Sequence, residues 1–307
     1  MRWPENKSFA FSIFDDPDSQ TLAKSRVVYS FLADHGLRTT IGVWPNPADP
    51  ALASDCGETC ANADYVAWMQ ELQRRGFEIG FHNATSHTSD REHTRAGLDR
   101  FVDLFGSNPL TMSNHYHARE GIYWGPDRLS GGHRHIYNVL TRGANRNTSF
   151  GHKRGDARFW GDLCKERIRY VRNFVFGGIN TLKACPDMPY HDPERAYVNY
   201  WYASSNAATL SNCLSVLSDA NQDQLAQEGG ACILYVHFAH GFCENGRIDP
   251  RFAEAIRRLT RRNGWFVPVH TLLDHLAARK PHTSITSAQR KALERRWLIH
   301  KARFGTS

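Results

Sequence analysis

From Phe9 to Phe105 the chain alternates short apolar runs with stretches of helical period, three times in succession. Phe9–Phe14 is a short, almost wholly apolar run and reads as a buried strand. The segment 18–34 sets Val27, Val28, Phe31 and Leu32 on one helical face and stops at Gly36. Leu37–Trp44 and Phe77–Phe81 repeat the strand pattern. The helical pattern recurs in 65–75, through Val66, Met69 and Leu72, and in Arg91–Phe105, through Leu98, Phe101, Val102 and Phe105. Strands joined through helices pair in parallel, so the pattern predicts an α/β fold with a parallel sheet or barrel. It resumes late, with strands at Cys232–Val236 and Trp265–Val269 and helices at Pro250–Arg262 and Thr271–Ala278. Between about 114 and 206 it lapses into Gly, His, Tyr, Trp and Arg without clear periods. The expected organisation is one α/β domain over 1–280, with 114–206 as a long irregular insertion between the early and late units, then a basic helical tail over 281–307.

In parallel α/β folds, functional side chains gather where strands end and loops begin. Three strand ends here carry ionisable groups. The first ends in Asp15-Asp16, with Asp18 just beyond. The third, "FEIGFH", runs into His82, with His87 after a loop. The late strand, "CILYVHFAH", ends in His237, with His240 following. Neighbouring carboxylates repel and ask for a cation. Each piece has an ordinary reading: the aspartates as helix capping, with Asp18 the better N-cap, and the histidines as satisfied loop or core groups. Their coincidence at three strand ends favours a divalent metal with open positions. Past another strand stand Asn114, His115 and His117, in a His- and aromatic-rich region that reads as a packed subdomain or as a substrate wall.

These strand-end motifs resemble the polysaccharide deacetylase family of metal-dependent carbohydrate esterases. That family's first motif, a strand ending Thr-Phe-Asp-Asp-Gly-Pro, is matched by "IFDDPD"; its His-Ser/Thr-x-x-His motif by "EIGFHNATSH"; its closing Leu-x-His motif by "ILYVHFAHGF". The resemblance covers roughly residues 8–106 and 230–277. It implies a distorted (β/α) barrel that hydrolyses an N- or O-acetyl group on a sugar. By motif position it implies Asp15 as catalytic base, His237 as general acid, and Asp16, His82 and His87 as ligands of a divalent metal. Zinc is the expected ion, with Co2+ or Mn2+ as alternatives.

Two departures from the family pattern stand out. His82 and His87 are five residues apart instead of four, a spacing that on a helix would splay them by about 140°. They share a metal only if 83–86 is loop; His93 is the fallback ligand. The family's Arg-Pro-Pro-Tyr/Phe motif is also missing, and "TMSNHYHAREGIYWG" stands in its place. Arg119 is the expected substitute for its arginine. Trp160, in "GDARFWGD", is faintly similar to the fourth motif. Asn114, His115, Arg119, Trp160 and His240 are therefore the expected substrate-binding residues.

The formal charge of +7 raises nucleic acid as a partner. Most of the excess lies in Arg290–Arg303, with six Lys/Arg against one Glu, so little is left for a basic channel and no nucleic-acid partner is expected. The tail "SAQRKALERRWLIHKARF", with Leu293 and Trp297 on one side, reads as a docked surface helix, with a membrane-surface or acidic-partner contact as the other reading. No run approaches the ~20 apolar residues of a membrane span, and no secretory signal fits ahead of Phe9, so a cytoplasmic protein is expected. Seven cysteines without framework spacing read as reduced thiols, and Cys56 and Cys60 lack a second pair to form a zinc site. The expected function is metal-dependent hydrolysis of an acyl amide or ester on a carbohydrate or small-molecule substrate. The alternatives are hydrolysis of a non-sugar carbon–nitrogen bond, such as a cyclic ureide, and non-catalytic sugar binding on the same fold.

Overall fold

Seven parallel strands close on themselves in the computed structural model, which describes residues 3–52, 57–116, 118–280 and 284–306. Cys56 and His117 lie outside the described residues. The staves are β1 (Phe9–Asp15), β2 (Thr40–Val43), β3 (Glu78–Phe81), β4 (Thr111–Met112), β5 (Tyr170–Phe176), β6 (Tyr200–Asn206) and β7 (Ala231–Val236). They pair in chain order, and β7 returns to β1 along its length, from Ala10 opposite Ala231 to Asp15 opposite Val236. A short hairpin of β8 (Cys243–Glu244) and β9 (Arg247–Ile248) follows, and β10 (Gly264–Phe266) pairs with the first half of β1 outside the closed ring.

Helices α1 (Leu22–Asp34), α2 (Ala63–Arg74) and α3 (Arg91–Phe105) follow the first three staves, as their apolar faces predict. Then come α4 (Gly131–Leu140), α5 (Gly161–Arg167), α6 (Thr181–Ala184), α7 (Leu210–Val216), α8 (Asp219–Gln227), α9 (Pro250–Thr260), α10 (Val269–Arg279) and α11 (Ser287–Phe304). The expected strand Trp265–Val269 is shorter, because Pro268 ends it and caps α10 from Val269.

The stretch 114–206 supplies two staves, β5 and β6, so its irregular parts are the long connections around them. A stave buried on both faces shows no alternation in sequence, and β5 is buried at all seven positions. The tail forms α11, docked through Leu293 and Trp297, with the Trp297 ring against Tyr137 at 5.6 Å and Phe174 at 4.9 Å. Inside the barrel, Phe14 fills the space left by glycines on β2 and β3. A Cβ at Gly42 or Gly80 would stand 3.2 or 3.0 Å from its ring.

Candidate active site

The pleat of β1 separates the two aspartates that stand side by side in the sequence. Successive side chains of a strand face opposite ways. Phe14 points into the barrel, so Asp15 turns outward under α1 and Asp16 faces the rim. Asp15 accepts hydrogen bonds from the Tyr29 hydroxyl (2.6 Å), the Phe238 amide (2.9 Å) and the Gln20 side chain (3.3 Å). All three donors are neutral, and burial pushes the carboxyl up to about 7. Asp15, expected as the base, does not line the rim cavity.

Asp16 does. Arg172 of β5 grips both its oxygens, at 3.0 and 2.5 Å, and the Ser113 hydroxyl donates to Oδ1 at 2.8 Å. Burial would raise this carboxyl; the charges of Arg172 and then His82 outweigh it and hold the group below its ordinary value. The guanidinium beside this carboxylate is that of Arg172; Arg119, expected there, does not line the cavity. Arg119 is exposed and lies over Phe150, 5.0 Å from its centroid.

Asp18, past Pro17, is where the histidines converge. His115 Nε2 lies 3.1 Å from its Oδ1, and His82 Nε2 and His237 Nε2 each lie 3.5 Å from its Oδ2. Burial again opposes ionisation, but the imidazoles of His115 and His82 hold the Asp18 carboxyl far below its ordinary value. The hydrogen bonds also orient the His82 ring. Ser113 gives its proton to Asp16, so it accepts from His82 Nδ1–H at 2.7 Å, which leaves Nε2 facing Asp18. His82 Nε2 and Asp18 Oδ2 are both buried without a hydrogen-bond partner. A proton on Nε2 or a cation between the two atoms would satisfy both, and the convergence of His115 on the same carboxylate suits a cation. His237 points Nδ1 at the Ala208 carbonyl (3.3 Å) and takes the Tyr235 hydroxyl on Nε2 (3.2 Å). Burial lowers its pKa although Asp16 and Asp18 pull the other way, so it rests neutral.

The expected pair His82 and His87 is not brought together. At Asn83 the backbone turns left-handed (φ 62°), and the following loop carries His87 off the rim. There its Nε2 accepts the Asp49 amide at 3.0 Å, its Nδ1 meets the Thr88 carbonyl at 3.1 Å, and its ring packs on the fallback His93 at 5.9 Å. His115, from the end of β4, occupies the place expected for His87. Asn83 holds it there, accepting the His115 amide at 2.9 Å while donating to Glu120 at 2.8 Å.

The remaining expected residues divide. Asn114 lines the cavity and clamps its loop by two bonds to the Ile122 backbone, at 2.7 and 3.2 Å. Trp160 is fully buried, donating to the Glu120 carbonyl at 2.7 Å, and does not line the cavity. His240 is exposed, with its ring 5.1 Å from His237 at the lip. Arg172, Asp18, Tyr235, Tyr116 and Trp124 complete the lining and were not among the expected site residues. The signal available for Asp18 was its place two residues past Asp16, in the turn that follows β1. The cavity measures about 90 Å³, room for an acetyl-sized group or several waters.

No protein-family model matches the chain, and no curated protein matches it either. Solved structures do match its fold. A provisionally assigned polysaccharide deacetylase from Mycobacterium smegmatis aligns at a TM-score of 0.52, covering 93% of this chain and 96% of that one, with 13% identity. The Puue allantoinase aligns at 0.53, covering 92% and 94%, with 14% identity. The chain has the (β/α) barrel fold of the polysaccharide deacetylases, a fold that an allantoinase also uses.

Proposed function

We propose that the protein is a metal-dependent hydrolase that removes an acyl group, acetyl in the first instance, from an amide or ester on a small carbohydrate-type substrate. The observation that carries this reading is the convergence of three imidazole Nε2 atoms on Asp18, beside an Arg172-held Asp16, in one cavity. Asp18, His82 and His115 are the residues that would hold the ion, and this nitrogen-rich donor set suits zinc, with cobalt or manganese as alternatives. A bound divalent ion would polarise the scissile carbonyl and ease the deprotonation of water.

The chain's own groups then handle the protons. Asp16, kept ionised by Arg172, accepts the proton of the attacking water. His237 rests neutral, so it is not a standing acid; it takes over the proton that Asp16 has accepted, the two groups lying within 4.8 Å, and passes it to the leaving nitrogen or oxygen. The Tyr235 hydroxyl on Nε2 orients that ring. The same groups would open a cyclic ureide, a reading supported by the fold shared with an allantoinase.

Elemental analysis of purified protein, with acetate release from an N-acetylated sugar and acid release from a cyclic ureide, tests both. About one divalent ion per chain is expected, lost in His82→Ala and His115→Ala and kept in His87→Ala. Metal loss in His87→Ala with retention in His115→Ala would reinstate the family's histidine pair. Acid from the ureide without acetate from the sugar would select the second reading. Metal-free protein inert on both would leave sugar binding.

A further inference from the structure

We propose that the face of α4 beside the cavity mouth is a docking surface for an anionic lipid bilayer. From Arg128 to Gly155 the sequence holds six Lys/Arg and neither Asp nor Glu. Within this stretch α4 turns Ile136, Val139 and Leu140 to solvent, at 47%, 63% and 49% exposure. These positions are i, i+3 and i+4, one face of a helix. The flank beside them, through Tyr137, is buried against Trp297. A helix end that leaves three aliphatic side chains in water, on an all-cationic segment, has the make-up of an interfacial helix.

The surroundings agree in charge. Arg142 and Arg146, one and two turns beyond the apolar face, are exposed. The acid nearest Ile136 in the groove they share, Glu194, is already paired with Arg290 at 2.7 Å. Arg134 is paired with Asp127, so the uncompensated charge is that of Arg142, Arg146 and Lys291, the last beside Ile136. A second copy of this chain would bring like charges together. A nucleic acid or acidic glycan would leave the aliphatic face in water. An anionic bilayer takes up both features, cations at the headgroups and aliphatic side chains below them.

The face also stands next to the site. Tyr116, which lines the cavity and is 55% exposed, donates to Asn145 at 3.1 Å, and Asn145 donates to Tyr137 of α4 at 2.7 Å. A chain docked through α4 opens its cavity beside the bilayer surface. No helix of the described residues is long and apolar enough to cross a membrane.

Co-sedimentation of the full chain with vesicles tests this. Binding is expected to mixed phosphatidylglycerol/phosphatidylcholine vesicles, not to phosphatidylcholine alone, and to weaken with salt. Val139→Asp with Leu140→Asp should cut partitioning at least about ten-fold. Arg142→Glu with Arg146→Glu should cut it about five-fold or more per arginine. All four positions are exposed, so unchanged circular dichroism melts are expected. Failure to bind anionic vesicles overturns the proposal, as does unaltered binding by the Asp pair. Retention on heparin that competes fully with vesicles and ignores the Asp pair would make the occupant a soluble polyanion, and the lipid assignment would fall.

Discussion

Asp15 and Asp16 are the same residue type on consecutive positions, and the fold makes them different chemical groups. Asp15 faces neutral donors under α1, whereas Asp16 faces a guanidinium at the rim. Asp16→Asn removes the only negative partner that buried Arg172 has among the described residues, and the acceptor for the water's proton. A loss of ~10²–10⁴ in kcat is expected. Asp15→Asn keeps an acceptor for the Phe238 amide and is expected to change turnover by less than ~10-fold, its effect lying in stability instead. Steady-state kinetics on both variants decide between them. A collapse in Asp15→Asn with Asp16→Asn spared would return the base to Asp15.

At the scale of elements, the link between the β3 and β4 ends runs through a fully buried carboxyl. Glu120 accepts from Asn83 at 2.8 Å and from the Ser89 amide at 3.1 Å, and Asn83 in turn holds the His115 amide. Burial, opposed by those hydrogen bonds, pushes Glu120 up to about 7. Its unfolded value lies near ~4.3, so the folded state binds the proton more tightly. This contribution to stability is present in full below ~4 and is lost as pH rises toward 7. Thermal melts from pH 4 to 8 should therefore lose stability through that window. In Glu120→Gln this part of the slope should vanish, while one donor is left unsatisfied at a cost of about 1–3 kcal/mol. An unchanged slope would mean that Glu120 is ionised throughout. Because Asn83 seats His115, the same variant should also bind metal more weakly.

Across the whole molecule, the C-terminal helix reaches the cavity through a stack of rings. Trp124 lines the cavity; the buried Arg128 guanidinium lies 4.1 Å from its ring and 4.5 Å from that of Trp297 on α11. Buried Arg290 anchors α11 to Asp192. Trp297→Ala is expected to cost about 3–5 kcal/mol in denaturant melts. It should also loosen the Trp124 wall, raising KM several-fold with kcat nearly unchanged. A stability loss with KM unaltered would confine α11 to a scaffolding role.

Strand–helix alternation, the rim position of the β1, β3 and β7 ends, and the presence of His82 and His237 at that rim were legible in the sequence, because local periodicity and chain order dictate them. The docked tail was legible in the same way, from Leu293 and Trp297. Two staves were not, since β5, buried on both faces, carries no alternation to read. Nor were the partners of the site. Arg172 reaches Asp16 across 156 residues, and His115 reaches Asp18 across 97. Spacing along the chain measures neighbours only within one helix or strand. Which aspartate faces the rim, and which histidine meets it, is decided by the pleat of β1 and the closure of the barrel, which bring together residues that are distant in sequence.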